Sequence, residues 1–255
     1  MTPIVLVISG HDPSGGAGQI ADVQTVSALG AHPALAITAL TEQNTQNAYA
    51  VFATPADQVR AQLERLAEDM RPAAIKIGLL PSVDVAAAIL PTLDALDGVP
   101  IVLDPVLIAS GGGALAESSL VPFLKAQLLK RCTVITPNLP EAAALTGETN
   151  PQAAADALLR LGARWALVTG GDAATEQVSN LLAGASASFT ARVARWRLRW
   201  PPTSHWGLTF RLLRRPRRRM SIGPWPGRPG PAPVNRFQTG NSDRCRSPRS
   251  VAPIR

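Results

Sequence analysis

Cysteine is scarce in this sequence, and no apolar run in it is long enough to cross a membrane. Cys132 and Cys245 are the only cysteines among 255 residues, too few for a disulfide framework, so a reducing compartment is expected. Cys132 opens a predicted strand and is expected to be a core residue rather than a nucleophile. The apolar start PIVLVIS lacks a basic lead, which argues against a signal peptide. These absences predict a cytoplasmic protein with no membrane partner.

Acidic residues and lysine are almost absent from the last quarter of the chain. Residues 1–190 carry 9 Lys and Arg against 17 Asp and Glu, whereas residues 191–255 carry 16 Arg, no Lys and a single acid, Asp243. The later segment also holds 10 of the 23 prolines and 4 of the 5 tryptophans. A change of composition this abrupt predicts a boundary near residue 190.

The first 190 residues alternate apolar runs with Ala/Leu-rich helical patterns. Strands are predicted at residues 4–9, 34–40, 73–80, 100–106, 132–138 and 165–171, and helices at 18–30, 54–70, 82–96, 118–130, 139–147 and 150–162. Gly30 is expected to end the first helix, Thr54 to cap the second and Pro91 to break the third. The pattern is typical of an α/β fold, a mostly parallel sheet covered by helices on both faces. Ligands bind such sheets beyond the carboxyl ends of the strands.

The segment SGHDPSGGAGQIAD follows the first predicted strand and enters a helix. Its glycines allow positive φ angles and close approach of a ligand to the backbone, and the helix N-terminus offers N–H groups to an anion or a polar ring. A flexible connector is the alternative interpretation, and neither GxxxxGK[ST] nor GxGxxG fits the segment. Asp22, near the start of the helix, could bond a ligand's hydroxyl or amino group, or only favour the helix dipole.

Polar residues also follow the later predicted strands. Gln43 could read a heteroaromatic ring through its amide, or belong to an ordinary polar loop. Asn138 and Glu141 in TPNLPE could orient the waters of Mg²⁺, or begin a helix, and both roles can hold at once. Asp104 is a second oxygen ligand in the same crevice. VTGGD, residues 168–172, offers backbone amides to a nucleotide phosphate, or forms only a turn.

Taken in order, these motifs resemble those of the hydroxymethylpyrimidine/phosphomethylpyrimidine kinases of thiamine biosynthesis, in the ribokinase-like superfamily. The resemblance runs from about residue 3 to 190 and rests on DPSGGAGQIADVQT, ITALTEQNTQ, KIGLL, VLDPV, VITPNLPEA and VTGGD. It implies a three-layer αβα ribokinase-like sheet and ATP- and Mg²⁺-dependent phosphorylation of 4-amino-5-hydroxymethyl-2-methylpyrimidine and then of its monophosphate. Positioning and charge neutralisation dominate such transfers.

The resemblance also implies the residues of the site. The aminopyrimidine would be bound by Gly10, Asp22, Gln43 and Val106, ATP by Asn138, Thr169, Gly170 and Gly171, and Mg²⁺ by Asp104 and Glu141. A homo-oligomer is implied for an intact member. A pyridoxal kinase of the same superfamily is the alternative and would share Gly10 and Asp22. The QNT sequence at Gln43 and the full DPSGGAG loop favour the pyrimidine.

One part of the family pattern is missing. The family places a Gly-(Thr/Ser)-Gly-Cys turn after the VTGG region, at a helix N-terminus, where it forms the anion hole for the transferring phosphate. Its cysteine stands where relatives carry a catalytic aspartate. Residues 171–255 contain no such motif, and Cys245, in DRCRSP, has no glycine turn around it. No catalytic residue is therefore identified, the sheet is expected to be incomplete after about residue 190, and little or no kinase activity is expected.

The missing motif can be recovered from the codons of the Arg- and Trp-rich segment. Shifting the codons of residues 187–207 by one base permits FHGTGCTLASAVAAHLALG, which holds the motif and a following helix. Tryptophan has a single codon, so the bases at Trp196, Trp200 and Trp206 are fixed. In the shifted frame these positions give alanine, alanine and glycine, as in the family pattern. We hypothesise a frameshift near residues 187–191.

Residues 1–190 would then be a C-terminally truncated kinase domain, and residues 191–255 an out-of-frame, disordered tail. The competing interpretation is a nucleic-acid-binding arm, in which Arg neutralises phosphates and Trp stacks on bases. The lack of lysine and the ten prolines argue against that arm, so no specific nucleic-acid partner is expected. Polyanions would bind the tail only through its charge.

Overall fold

The computed structural model describes residues 2–107, 115–170, 177–184 and 187–194. The strands are β1 (Ile4–His11), β2 (His32–Gln43), β3 (Ala48–Ala53), β4 (Ala74–Ile77), β5 (Ile101–Leu103), β6 (Val134–Ile135), β7 (Trp165–Val168), β8 (Gln177–Gly184) and β9 (Ala187–Ala194). The helices are α1 (Gly18–Ala28), α2 (Ala56–Asp69), α3 (Val83–Ala88), α4 (Leu90–Ala95), α5 (Leu120–Phe123), α6 (Leu139–Thr146) and α7 (Pro151–Arg160). A π-helical turn (Leu124–Leu128) and a 3₁₀ turn (Leu129–Arg131) continue α5.

These strands form one sheet in the order β3-β2-β1-β4-β5-β6-β7-β8-β9. The six strands from β2 to β7 in that order pair in parallel, and β3, β8 and β9 add antiparallel pairs at the two edges. The predicted α/β class and mostly parallel sheet are confirmed. Strand β9 continues to Ala194, four residues past the predicted boundary at 190, and residues 195–255, with the predicted tail, lie outside the described residues.

Side chains that alternate across the sheet build a core on each face. Leu6 and Ile8 of β1 belong to the large core, which includes residues of helices α2 to α7. Val5 and Val7 point the other way, toward Val26 of α1. Burying each such side chain stabilises the fold by roughly 1.5–3 kcal/mol. Helices on both faces give the predicted three layers. No helix in the described part of the chain is both long and apolar enough to span a membrane.

Two of the predicted helix boundaries are confirmed. Helix α1 ends just before Gly30, whose φ of +76° is a left-handed conformation that favours glycine. The predicted helix at 82–96 is divided at Ile89 into α3 and α4, with Pro91 in the first turn of α4. Proline has no backbone N–H to donate to the carbonyl four residues earlier, and its ring clashes with that carbonyl, which explains the break.

The predicted cap at Thr54 is wrong. Helix α2 begins at Ala56, its N-cap is Pro55, and no side chain caps it. The unpredicted strand β3 ends at Ala53, and the next amide, that of Thr54, donates to the carbonyl of Thr38 at 2.9 Å. Thr54 therefore continues the chain out of the sheet, and the helix begins after it.

Candidate active site

The predicted site residues lie where the parallel strands end. Gly10 and Gln43 lie at the carboxyl ends of β1 and β2, while Asp104, Asn138 and Thr169 follow β5, β6 and β7. Because the carboxyl ends of parallel strands share one edge of the sheet, these residues lie along a single crevice. Gly171 lies outside the described residues.

The glycine-rich loop after β1 is held in shape by a buried carboxylate. Asp12 accepts hydrogen bonds at 2.8 Å from the amides of both Ser14 and Ala17 and is 4% exposed. Gly18, at the start of α1, has a φ of +54°, and a Cβ there would overlap the carbonyl oxygen of Gly10. The loop is therefore a defined turn against the end of β1, which disfavours the interpretation as a flexible connector.

Gly18→Ala is expected to lower the free energy of unfolding by about 2 kcal/mol, through backbone strain and overlap with Gly10. Gly16→Ala is the matched control, since a Cβ there meets no atom nearer than 3.6 Å. It is expected to change stability by less than about 1 kcal/mol. Urea unfolding of both variants is the measurement, and equal effects would contradict the strained-turn interpretation.

A buried ion pair lies beside this loop, and sequence reasoning missed half of it. The ammonium of Lys76 donates to Oδ2 of Asp22 at 2.8 Å, and each side chain is 3% exposed. Lys76 lies opposite Val7 in the sheet register, on the face that α1 covers, which brings it to Asp22. Burial raises the pKa of Asp22, and the charge of Lys76 opposes that shift. A lysine inside the apolar strand AAIKIGLL was the available signal, because buried lysines need a partner.

Asp104 shares the electrostatic environment of this pair. Its amide donates to the carbonyl of Ile77 at 2.8 Å. Burial raises the pKa of Asp104 to about 6, the charge of Lys76 lowers it, and the charge of Asp22 raises it. Val106 follows, with its amide 2.9 Å from the carbonyl of Asp104. The charge of one ammonium therefore acts on two carboxylates.

Gln43 and Gly10 lie near the end of β1. The hydroxyl of Thr41 is 3.2 Å from Oε1 of Gln43 and 3.0 Å from the carbonyl of His11, which holds the Gln43 amide near β1. A Cβ on Gly10 would lie 2.9 Å from Cδ2 of Leu79, closer than real Cβ contacts. Glycine at this position therefore lets the end of β1 pack closely against the side chain of Leu79, which follows β4.

Asn138 and Glu141 form a capping box at the start of α6. The amide of Glu141 donates to Oδ1 of Asn138 at 2.8 Å, and the amide of Asn138 donates to Oε2 of Glu141 at 2.9 Å. The predicted helix start is confirmed. Among the described residues, no group of three or more His, Cys, Asp or Glu side chains could hold a metal ion. The Mg²⁺ roles of Asp104 and Glu141 stay predictions.

Of the amides predicted to bind phosphate, those of Thr169 and Gly170 are already used inside the protein, while Gly171 lies outside the described residues. The amide of Thr169 donates to the carbonyl of Pro137 at 2.9 Å, and that of Gly170 donates to Oδ1 of Asn180 at 3.2 Å. Asn180, in β8, is 7% exposed and was not predicted. A nucleotide would have to displace these bonds or use other groups of the loop.

Cys132 is a core residue, as predicted. It is 0% exposed, its thiol lies 3.1 Å from the carbonyl of Leu128, and burial raises its pKa to about 12. In a Cys245→Ser variant, Cys132 is therefore expected to react with a thiol reagent at least about 10²-fold more slowly in native buffer than in urea. Rapid native labelling would contradict this burial.

The sheet, its flanking helices and the crevice at the strand ends define a ribokinase-like kinase fold. The structure is similar to the phosphomethylpyrimidine kinase of Clostridium difficile 630, with a TM-score of 0.67 and 32% identity, covering 74% of this chain and 84% of that one. It is also similar to the pyridoxal kinase of Bacillus subtilis in an ADP complex, with a TM-score of 0.73 and 29% identity over 82% and 81% of the two chains.

The sequence points to one family within this class. The family model described as phosphomethylpyrimidine kinase matches residues 12–199. The hydroxymethylpyrimidine/phosphomethylpyrimidine kinase of Streptomyces coelicolor is 40% identical over 187 residues, which cover 71% of this chain and 69% of that protein. The chain belongs to the phosphomethylpyrimidine kinase family, whose members are phosphotransferases, and the predicted resemblance is confirmed. Residues 200–255 lie outside the family match.

Proposed function

We propose that this chain binds 4-amino-5-hydroxymethyl-2-methylpyrimidine, or its monophosphate, together with Mg–ATP, and that its phosphoryl transfer is impaired. The observation that carries the binding half is the buried Asp22–Lys76 ion pair together with the half-buried Asp104 near the strand ends, in a chain of this family. The Streptomyces coelicolor relative is named for kinases of both the alcohol and the monophosphate. The ADP complex of the Bacillus subtilis structure supports a nucleotide.

Asp22 and Gln43 give the pyrimidine end of the site its polarity. The Asp22 carboxylate accepts hydrogen bonds only, whereas the Gln43 amide both donates and accepts. An aminopyrimidine presents both kinds of group, an N–H donor beside a ring nitrogen acceptor. Gly10 and Val106 would contribute backbone near the ring, and a side chain at Gly10 would require the side chain of Leu79 to shift.

Asp104 fits one ligand position for Mg²⁺. Burial raises the pKa of its carboxyl even though the charge of Lys76 lowers it, so a bound cation would further stabilise the ionised form. Mg²⁺ commonly uses one or two carboxylates together with phosphate oxygens and waters. Glu141 would act from its position in the capping box with Asn138. When bound, the ion neutralises charge on the nucleotide phosphates.

The impairment follows from the sequence after the VTGG segment. Residues 171–255 contain no Gly-(Thr/Ser)-Gly-Cys sequence, so the motif whose backbone amides would stabilise the transferring phosphate is missing from the sequence. Such preorganised donors are commonly worth about 10²-fold or more in rate. The arginines of residues 191–255 supply positive charge but no glycine-rich motif of that kind.

Calorimetric titration of the full chain tests the binding half. The hydroxymethylpyrimidine is expected to bind at least about tenfold more tightly than pyridoxal, because the amide of Gln43 matches an aminopyrimidine edge. A preference for pyridoxal would reassign the chain to that kinase. Binding of neither, with salt-dependent and sequence-selective binding of DNA, would favour the nucleic-acid arm.

A further inference from the structure

Asn44, the residue after Gln43, holds together the turn between β2 and β3. We propose that Asn44 is a positioning residue, which fixes the direction of the Gln43 side chain and so sets the affinity of the chain for its pyrimidine. Asn44 is itself exposed and acts through Gln43 rather than by contact with the substrate. This inference rests on the proposed function, since it adds a residue to the pyrimidine end of the same site.

Gln43 lies on a part of β2 that extends beyond β1. Leu40 is the last β2 residue that pairs with β1, where it lies opposite His11. Within the described sheet, Gln43, three residues later, pairs only with Ala48 of β3. Two strands without a third are at best marginally stable in water. The direction of the Gln43 side chain therefore depends on how firmly this end of the hairpin is held.

Asn44 makes four hydrogen bonds that close this end of the hairpin. Its Oδ1 accepts from the amides of Gln46 and Asn47, each at 2.9 Å, and its own amide donates to the carbonyl of Asn47 at 3.0 Å. Its Nδ2 donates to the hydroxyl of Tyr49 at 3.1 Å. Asparagine favours turns because its side chain bonds the backbone two residues further on. One side chain therefore fixes the turn and ties it to β3.

Tyr49, which Asn44 reaches across the hairpin, is the extra residue of a β-bulge. The register of β2 against β3 shifts by one residue between Glu42 and Gln43, which leaves Tyr49 without a place in the ladder. Bulges bend a strand and re-aim side chains beside active sites, and a slip of one residue would move Gln43 to the other face of the sheet. The bond from Asn44 to Tyr49 therefore holds the bulge that sets the face of Gln43.

The amide of Gln43 is held from the other side by Thr41. The Thr41 hydroxyl is 3.2 Å from Oε1 of Gln43 and 3.0 Å from the carbonyl of His11. Thr41 thus fixes the amide, while Asn44 fixes the backbone that carries it. A group held in one orientation before binding loses less conformational freedom when the ligand binds. Loss of Asn44 is therefore expected to weaken pyrimidine binding without removing any atom that contacts the pyrimidine.

Calorimetric dissociation constants of the hydroxymethylpyrimidine, measured on the full chain, test this role. Asn44→Ala removes three of the four bonds and is expected to weaken pyrimidine binding about tenfold, while binding of Mg–ATP stays within about twofold of the wild type. Asn44→Asp still accepts from the two turn amides and can accept the proton of the Tyr49 hydroxyl. It is therefore expected to restore pyrimidine affinity to within about threefold of the wild type.

Asn150→Ala is the matched control. Oδ1 of Asn150 also accepts from the amides two and three residues further on, those of Gln152 and Ala153, at 2.9 and 3.1 Å. The substitution therefore removes the same pair of bonds, but at the start of α7 rather than beside Gln43. It is expected to leave the pyrimidine dissociation constant unchanged, so a general loss of stability can be recognised in both variants by urea unfolding.

A double-mutant cycle separates positioning from a merely structural role. Gln43→Ala removes the group that Asn44 positions, so adding Asn44→Ala to it is expected to weaken pyrimidine binding by less than about twofold more. Equal losses from Asn44→Ala with and without Gln43 would overturn the positioning role. Wild-type pyrimidine affinity in the single variant Asn44→Ala would overturn it as well.

The outcomes also separate this inference from the proposed function. If the wild type binds no pyrimidine, the proposed function fails and the inference fails with it. If the wild type binds the pyrimidine and the cycle is additive, only the role of Asn44 is lost. Should Asn44→Ala not fold, Tyr49→Phe removes only the bond between the turn and β3 and is expected to weaken pyrimidine binding about threefold. Unchanged binding in that variant would again overturn the inference.

Discussion

Restoring the reading frame near residues 187–191 is expected to raise the rate of pyrimidine phosphorylation at least about 10²-fold over this chain. The shifted codons of residues 187–207 permit the Gly-Thr-Gly-Cys turn followed by an Ala/Leu-rich helix. Backbone amides of such a turn donate hydrogen bonds to the charge that develops on the transferring phosphate. They therefore stabilise the transition state more than the bound substrate. The gain is therefore expected in kcat, with little change in the KM of the pyrimidine.

A fresh DNA read across the codons for Ala185–Arg192 comes first, because a gained or lost base would show the frameshift directly. The restored and original chains are then compared by ADP release with the pyrimidine and with its monophosphate. The control is the restored protein with the cysteine of the turn changed to alanine, which is expected to keep the restored fold but to lack one group of the catalytic turn. Light scattering on the restored protein tests the expected homo-oligomer. Equal rates for the original and restored chains would contradict the proposed impairment.

Sequence patterns predicted the features of this fold that depend on near neighbours. The Asn138–Glu141 capping box spans four residues, and the break at Pro91 is a property of the proline ring, so both follow from local chemistry. The central parallel strands were also found, because burial on both faces makes them continuously apolar. Local rules therefore gave most of the strands and helices in the first 170 residues, with β3 the strand that they missed.

Features that depend on distant contacts were missed. The partner of Lys76 is 54 residues away in sequence, so the sequence showed an unusual buried lysine but not its role. Asn180 bonds Gly170 only because β8 folds back on β7. Strands β3, β8 and β9 were not predicted, because their antiparallel pairing at the two edges of the sheet depends on neighbours that lie elsewhere in the sequence. Tertiary pairing, which single-sequence patterns do not encode, thus fixes the charge arrangement of the site.

Asp104→Asn is expected to stabilise the metal-free protein by about 2–3 kcal/mol at pH 7.5, while weakening its affinity for Mg–ATP. This difference in the free energy of unfolding follows from the pKa of Asp104, which is raised from 3.8 to about 6, because each pKa unit corresponds to about 1.4 kcal/mol. The expected value is slightly lower than that product because part of the Asp104 side chain remains accessible to solvent. Asparagine nearly matches the shape of aspartate but carries no charge, so it removes the cost of burying the ionised form.

The pH dependence gives this prediction its sign. Below about pH 4 the carboxyl is protonated in both the folded and the unfolded chain, so wild type and variant are expected to be equally stable. Between about pH 4 and 6 the unfolded chain ionises first, and the wild type loses stability relative to the variant as pH rises. Above the folded pKa of about 6 the difference is complete and constant.

Urea unfolding of wild type and Asp104→Asn at several pH values between 4 and 7.5, with a chelator present, measures the difference directly. Subtracting one curve from the other cancels the titration of groups that the substitution leaves unchanged. A difference that is independent of pH, or one that favours the wild type at pH 7.5, would show that Asp104 is not a destabilising buried charge. Adding Mg–ATP is expected to reduce the advantage of the variant, because a bound cation compensates the carboxylate only in the wild type. The instability at Asp104 would then be the cost of holding an oxygen ligand ready for a cation.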